Sequence, residues 1–213
     1  MKLLIDPVYF TLGEGHRIDE DALIGYLPSR KVETLRLSLG RNAVIRSGSV
    51  IYAGSSIGPG FETGHGVIVR EQNRIGADVK VWNHTTIDYG CTLGDGVRLH
   101  VNCYLAQYTT LEDEVFFAPG VTVANDLHPG RDYSKRIMRG PTLRRGAQVG
   151  VNVTLLPYVT VGEGAMIGAG SVVTKDVPDG MLAYGNPARV IKPVAELSEG
   201  ELVQYLAARG IEG

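Results

Sequence analysis

Residues Ile75 to Val123 read "IGADVKVWNHTTIDYGCTLGDGVRLHVNCYLAQYTTLEDEVFFAPGVTV". Every sixth position in that stretch is a large apolar residue: Ile75, Val81, Ile87, Leu93, Leu99, Leu105, Leu111, Phe117 and Val123. An α-helix repeats every 3.6 residues and cannot keep a six-residue hydrophobic period on one face. An ordinary strand alternates with period two and does not need a turn every six residues. A chain that bends at each hexad, with one large and one small side chain pointing inward from each flat segment, satisfies both facts.

The frame extends in both directions. Upstream it runs back through Val69, Thr63, Ile57, Ile51 and Ile45 to Leu39, and only Thr63 is not a large apolar residue. Downstream it resumes at Leu143 and continues through Val149, Leu155, Val161, Ile167 and Val173. The fifth position of each hexad is small or β-branched in 18 of 21 cases, which is what a narrow interior admits; Phe61, Asn73 and Leu127 are the exceptions. Three flat segments close a triangular coil of eighteen residues, so these hexads make about seven stacked coils. Each coil pairs its backbone with those above and below, about 4.8 Å apart. The reading is an all-β solenoid. Glycine at the second hexad position, as at Gly40, Gly58, Gly94 and Gly150, is expected to make the tight corner.

Composition agrees with such a fold and narrows the partners. Glycine is 28 of 213 residues and aromatics are 7%, which suits many turns and a thin core. The net charge of -2 gives no general attraction to nucleic acid or to an anionic membrane. No apolar run approaches the ~18 residues of a membrane span, and "MKLLIDPVYF" is broken at Asp6 and Pro7 too early for a signal peptide. A cytoplasmic protein is expected. Cys91 and Cys103 both fall at the inward fifth position and read as buried free thiols.

Residues 1–38 hold only imperfect hexads and read as an N-terminal cap with an irregular coil. Residues 39–192 are the repeat domain. Residues 193–213 read as a C-terminal α-helix: Ser198 and Glu201 form a capping box, Leu202, Tyr205 and Leu206 an apolar stripe, and Gly210 a stop.

The rhythm fails once, across "VANDLHPGRDYSKRIMRGPTLRRG" (Val123 to Gly146). The frame point due at residue 129 arrives at Leu143, so fourteen residues, 129–142, are inserted. A loop thrown out of a solenoid corner marks a working surface. Residues 131–145 carry Arg131, Lys135, Arg136, Arg139, Arg144 and Arg145 against Asp132, a cluster suited to phosphate groups. Eighteen-residue columns place Asn125 over Gln107 and Tyr89, and Asp126 over Tyr108 and Gly90. On an adjacent face they place Asn83 and His84 below Asn102. His128 immediately precedes the loop, where a near-neutral imidazole can take a proton from an attacking amine or hydroxyl. His84, His100 and His128 occupy different hexad positions, so no zinc site of three histidines is expected.

These features together resemble the hexapeptide-repeat acyltransferases. "VFFAPGVTVANDLHP" (Val115 to Pro129) is similar to the segment of the family's sugar O-acetyltransferases that ends in the catalytic His-Pro. "IGAGSVVTKDVPDGMLAYGNPARVI" (Ile167 to Ile191) is similar to the family's acetyl-CoA-binding end. The resemblance implies a left-handed parallel β-helix that assembles as a homotrimer and takes acetyl-CoA as co-substrate. It implies His128 as general base with Asp126 beside it, and Asn83, His84, Asn102, Gln107, Tyr108, Asn125 and Arg131 around the acceptor. Gly150, Gly168 and Ala169 would lie along the pantetheine, with Thr174, Lys175 and Arg189 near the adenosine phosphates. Trp82-Asn83 and Asn125-Asp126 resemble N-acetyltransferases of nucleotide-linked amino sugars used for surface polysaccharide; His128 is more like the O-acetyltransferases. Amine and hydroxyl acceptors both stay open.

Overall fold

The computed structural model describes residues 1–197, Gly200 and Ala208. Short parallel strands stack into three sheets, one for each face of a triangular prism, and the chain visits the faces in rotation as far as the strand Val172–Val173. This is a left-handed parallel β-helix. The first face carries, among others, Val50–Tyr52, Thr86–Ile87, Tyr104–Leu105 and Thr122–Val123. The second carries Thr92–Leu93, Thr110–Leu111 and Thr142–Leu143, and the third Lys80–Val81, Arg98–Leu99 and Phe116–Phe117.

The register is the sequence period made physical. Thr86 and Ile87 pair with Tyr104 and Leu105, eighteen residues on. All the leading residues from Leu39 to Val173 are buried, and so are the fifth-position residues apart from Leu127. Phe61 is wholly enclosed because the next leading residue, Thr63, is the one small member of its series. Asn73 is enclosed because both ends of its amide are used: Nδ2 donates to the Arg70 carbonyl (2.8 Å), and Oδ1 accepts from Cys91 N–H (2.7 Å). Both cysteines are buried free thiols, and burial pushes Cys91 up to about 12.

Two expectations change, and a third lies outside the described residues. From Asn42 to Gly170, outside the inserted loop, the residues with positive φ sit at the fourth hexad position, for example Gly90 (72°), Asn102 (57°) and Tyr108 (62°). The corner therefore turns there and not at the second position. The second-position glycines answer to a different constraint, the next coil: a Cβ on Gly40 would lie 2.4 Å from Pro59 N. Residues 1–38 are also more regular than an irregular cap. Lys2–Leu3, Phe10–Leu12, Arg17–Ile18 and Leu23–Tyr26 pair in parallel with the coils that follow; Lys2–Leu3 and Leu23–Tyr26 extend the first face to nine strands, Phe10–Leu12 lengthens the second and Arg17–Ile18 the third. Their hexads are disguised by an excursion, residues 27–36, that leaves the corner between the first and second faces. The expected C-terminal helix rests on Ser198, Glu201, Leu202, Tyr205, Leu206 and Gly210, which lie outside the described residues. Residues ahead of them form the strand Ala188–Pro193, antiparallel to Met181–Gly185 on the third face.

Candidate functional site

The inserted loop leaves the same corner as residues 27–36, between the first-face strand ending at Val123 and the second-face strand beginning at Thr142. That corner is called here the histidine edge. The loop is tied at three points. Asp126 Oδ1 accepts the His128 backbone N–H (2.8 Å), and Asp126 Oδ2 accepts the Ser134 hydroxyl hydrogen. Arg139 N–H donates to the Asn125 carbonyl (2.8 Å), which closes the loop at its neck. Tyr158, one coil further along the edge, donates its hydroxyl to the Ile137 carbonyl at the end of α1 (Ser134–Ile137). Held this way, His128 is exposed, with its ring edge-on to Tyr133 at 5.8 Å.

Along the edge, polar side chains from successive coils interlock. Asn125 Nδ2 donates to Gln107 Oε1 (2.5 Å), as the column reading requires. Tyr108 packs edge-on against Tyr89, with ring centroids 5.5 Å apart, and the bare Gly90 leaves room for its ring. Below them Glu71, its side chain fully buried, pairs with Arg30 Nε (2.5 Å) and Arg70 Nε (2.9 Å). Burial pushes the Glu71 carboxyl up, but the hydrogen bonds from Arg70 and Arg30 more than offset that and hold it below the usual range. Arg30 belongs to the 27–36 excursion and lies over the Tyr89 ring at 3.7 Å. Both excursions are therefore anchored to one chain of contacts. A groove of about 550 Å³ opens on the second face beside it, lined in part by Arg36, Arg74, Gly90 and Tyr108.

The expected site residues divide between two edges. Gln107, Tyr108, Asn125, Asp126, His128 and Arg131 share the histidine edge and its loop, and Thr174 and Lys175 lie on the same edge two coils beyond Asn125. Asn83, His84, Asn102, Gly150, Gly168 and Ala169 lie on the edge between the third and first faces. Asn83 Oδ1 there accepts His65 N–H (2.9 Å), and a Cβ on Gly150 would meet Ala169 N at 2.6 Å. Arg189 is on that side too, paired in register with Tyr184, against which Gly168 packs. His84, Asn102 and Tyr108 all have positive φ, a feature they share with corner residues such as Gln72 and Glu114, so the strain belongs to the corner. The basic cluster is smaller than the sequence count. Arg144 and Arg145 stand on the edge between the second and third faces and pair with Glu112 (2.8 Å) and Asp113 (2.7 Å) of the coil below. Among the described residues, Arg131, Lys135, Arg136 and Arg139 have no carboxylate partner.

Residues 140–175 match the family model "Bacterial transferase hexapeptide (six repeats)". Over those residues the chain is similar to the hexapeptide-repeat transferases, and the same six-residue frame runs on either side of them. Galactoside O-acetyltransferase of Escherichia coli (strain K12) is 36% identical over 118 residues, covering 50% of this chain and 56% of that protein. The bifunctional protein GlmU of Thermotoga sp. (strain RQ2) is 30% identical over 198 residues, covering 90% of this chain and 40% of that one. The chain thus spans about half the length of the curated relatives it matches. Among solved structures, UDP-N-acetylglucosamine acyltransferase from Campylobacter jejuni aligns with a TM-score of 0.54 at 18% identity, over 96% of this chain and 81% of that one. That match bears on the fold alone. Among the described residues no helix is long and apolar enough to cross a membrane, and no three His, Cys, Asp or Glu side chains gather as a metal-binding group.

The sequence reading does not single out Arg30, Arg70 or Glu71, nor two further contributors to the edge, Tyr158 and Asp88. Tyr158 stands in an ordinary corner position and reveals its role only through its reach to the loop. Asp88 had a legible signal: it lies eighteen residues after Arg70, so opposite charges stack on adjacent coils, 3.5 Å apart.

Proposed function

We propose that the chain is an acetyltransferase that uses acetyl-CoA and a sugar acceptor. The acceptor we favour is the amine of a nucleotide-linked amino sugar used in surface polysaccharide. The observation that carries this reading is the inserted loop. It presents an exposed His128 together with four cations that have no carboxylate partner among the described residues, and it rises from the edge that also carries Thr174 and Lys175. Such an arrangement suits one phosphate-bearing ligand on each side of a proton acceptor.

Acetyl-CoA supplies an activated acyl group to such a site. Lys175 and Arg189 would meet its phosphates, and the small Gly150, Gly168 and Ala169 would leave room for a thin arm. His128 takes the proton of the attacking amine or hydroxyl. Asp126 spends both oxygens on the loop, one on the His128 backbone and one on Ser134, so its part is to fix where the imidazole stands. Holding the two substrates together contributes much of the rate for an amine.

The split between edges supports a homotrimer. Gly150, Gly168 and Ala169 can share a cleft with His128 only if a second copy turns its third–first edge toward this histidine edge. Exposed apolar side chains stand on both edges, Val151 on one and Leu127 and Tyr158 on the other.

A second reading, transfer to a sugar hydroxyl, is favoured by His128 itself and by the galactoside O-acetyltransferase relatives. Thiol release from acetyl-CoA should be measured against UDP- and dTDP-linked amino sugars, free amino sugars and simple hexosides. Turnover confined to nucleotide-linked amines supports the first reading, and turnover on hexosides the second. No release with any acceptor, and no rise in Tm with CoA, overturns both.

A further inference from the structure

Asp88 is buried on the histidine edge and receives four donors. The Tyr104 hydroxyl (2.9 Å) and Gln107 Nε2 (2.5 Å) reach Oδ2; Tyr89 N–H (2.8 Å) and the Arg70 guanidinium (3.5 Å) reach Oδ1. A carboxylate among donors can only accept. That fixes the direction of the bonds that follow. Gln107 must turn its NH₂ toward Asp88, because the reverse orientation would set two oxygens against each other at 2.5 Å. Its carbonyl oxygen then faces Asn125, which fills it with Nδ2. The Asn125 Oδ1 is what remains. Asn125 is largely buried, with 9% of its surface exposed, and among the described residues its Oδ1 has no partner and is not one of the fully enclosed polar atoms. It stands three residues before His128.

We propose that Asp88 is a positioning residue for the acceptor: acting through Gln107, it holds the Asn125 side-chain carbonyl outward, as a hydrogen-bond acceptor for the amine or hydroxyl of the incoming sugar. This rests on the acetyltransferase reading. It assigns a polarity that burial and spacing alone leave open. An outward oxygen greets a donor and repels a phosphate, so phosphate groups are left to the loop cations, and Asn125 discriminates for the reacting end of the acceptor.

The relay can be reversed, which gives the test. Asp88→Asn frees Gln107 to turn over, and Asn125 with it. Asn125→Asp sets a carboxylate against the Gln107 carbonyl. In the double variant the chain runs backward. The new amide at position 88 donates to Gln107, and Gln107 donates to the new carboxylate at position 125. The second oxygen of that carboxylate faces out as before. The net charge is that of the parent. Each single variant is expected to raise the acceptor KM about tenfold, the scale of one hydrogen bond to an unpaired polar group, with the acetyl-CoA KM unchanged. The double variant is expected to return the acceptor KM to within about threefold of the parent. A double variant no better than the poorer single overturns the proposal. So does an Asp88→Asn that lowers kcat and Tm and leaves the acceptor KM alone.

If Asp88→Asn does not fold, Gln107→Met leaves Asp88 its other donors and cuts the relay; an unchanged acceptor KM in that variant overturns the proposal. If the parent protein acetylates no sugar, the functional reading fails and the relay is judged by itself. In ¹H–¹⁵N spectra the carboxamide resonances of Gln107 and Asn125 should both move on Asp88→Asn, and movement of neither overturns the relay.

Discussion

The hydroxyl of Ser134 donates to Asp126 Oδ2, so the residue that begins α1 is fastened to the neck of the loop that carries His128. The second Asp126 oxygen holds the His128 backbone. One side chain thus fixes both the start of the loop and its far turn. Replacing Asp126 by Ala removes two hydrogen bonds that order the loop, each worth about 1 kcal/mol. The core coils lose nothing, so Tm should move little. Trypsin should cut at Arg131, Lys135 or Arg136 at least about tenfold faster than in the parent, because cleavage follows local opening. Ser134→Ala should give the same effect at about half the free energy. Equal cutting rates in all three proteins would mean that the loop is held by Tyr158 and Arg139 instead.

His128 separates the two acceptor chemistries. A sugar hydroxyl needs a base to become a nucleophile, and general-base catalysis contributes about 10²–10⁴-fold. An unprotonated amine attacks without one. His128→Ala should therefore lower kcat by about 10²-fold or more on a hydroxyl acceptor, but by about tenfold or less on an amine. Comparing kcat for paired acceptors that differ only in that atom checks it. Equal, negligible losses would remove the histidine from proton transfer.

Most of the fold was legible because the interior of a triangular coil is so confined. Each flat segment has two inward positions, and filling them fixes the large residue at Leu39, Ile45 or Ile51 and the small one at Ala43 or Ser49 without reference to anything else in the chain. What the period could not show is what happens at the corners. Gly40 and Asn42 sit two residues apart in one turn, and either could be the residue that bends it. Only the positive φ of Asn42 and the approach of Pro59 to Gly40 distinguish them. Arg144 and Arg145 read as part of the loop's basic cluster because they follow it in sequence. In space the frame has already resumed, and each meets an acid one coil below. Asn125 over Gln107 was readable from eighteen-residue spacing; Gln107 onto Asp88 was not, because that bond runs diagonally between second and third hexad positions.

The pairing of Glu71 with Arg30 and Arg70 gives stability a pH dependence whose sign can be worked out. The Glu71 carboxyl is held below its usual value, so the folded state favours its ionised form. The contribution is fully present above the unfolded value of about 4.3, and it fades as pH falls through the lower folded value. Glu71→Gln removes a buried partner of two guanidiniums. Their side chains keep 33% and 27% of their surface exposed, so the cost should be about 2 kcal/mol, below the ~3–5 kcal/mol of a fully buried pair. Urea unfolding at pH 7 should show that loss, and the difference between parent and variant should shrink when the titration is repeated at pH 4 and below. A difference independent of pH would place the effect in packing and not in charge.

The loop cations make the last prediction, and it turns on which arginines are already spoken for. Arg144 and Arg145 are paired with Glu112 and Asp113; Arg136 and Arg139 have no acid within reach among the described residues. If a phosphate-bearing ligand docks at the loop, Arg136→Gln with Arg139→Gln should raise the KM of a nucleotide-linked acceptor or of acetyl-CoA by about tenfold, from two partly exposed charge-assisted bonds. The same pair of changes should flatten the salt dependence of that KM, since exposed charges are screened over about 10 Å at 0.1 M ionic strength. Arg144→Gln with Arg145→Gln should leave both KM values unchanged and lower Tm slightly, because those side chains link two coils on another edge. Whichever KM responds to the loop pair identifies the substrate that the loop covers. A response to the Arg144 and Arg145 pair alone would move the phosphate site to the edge between the second and third faces.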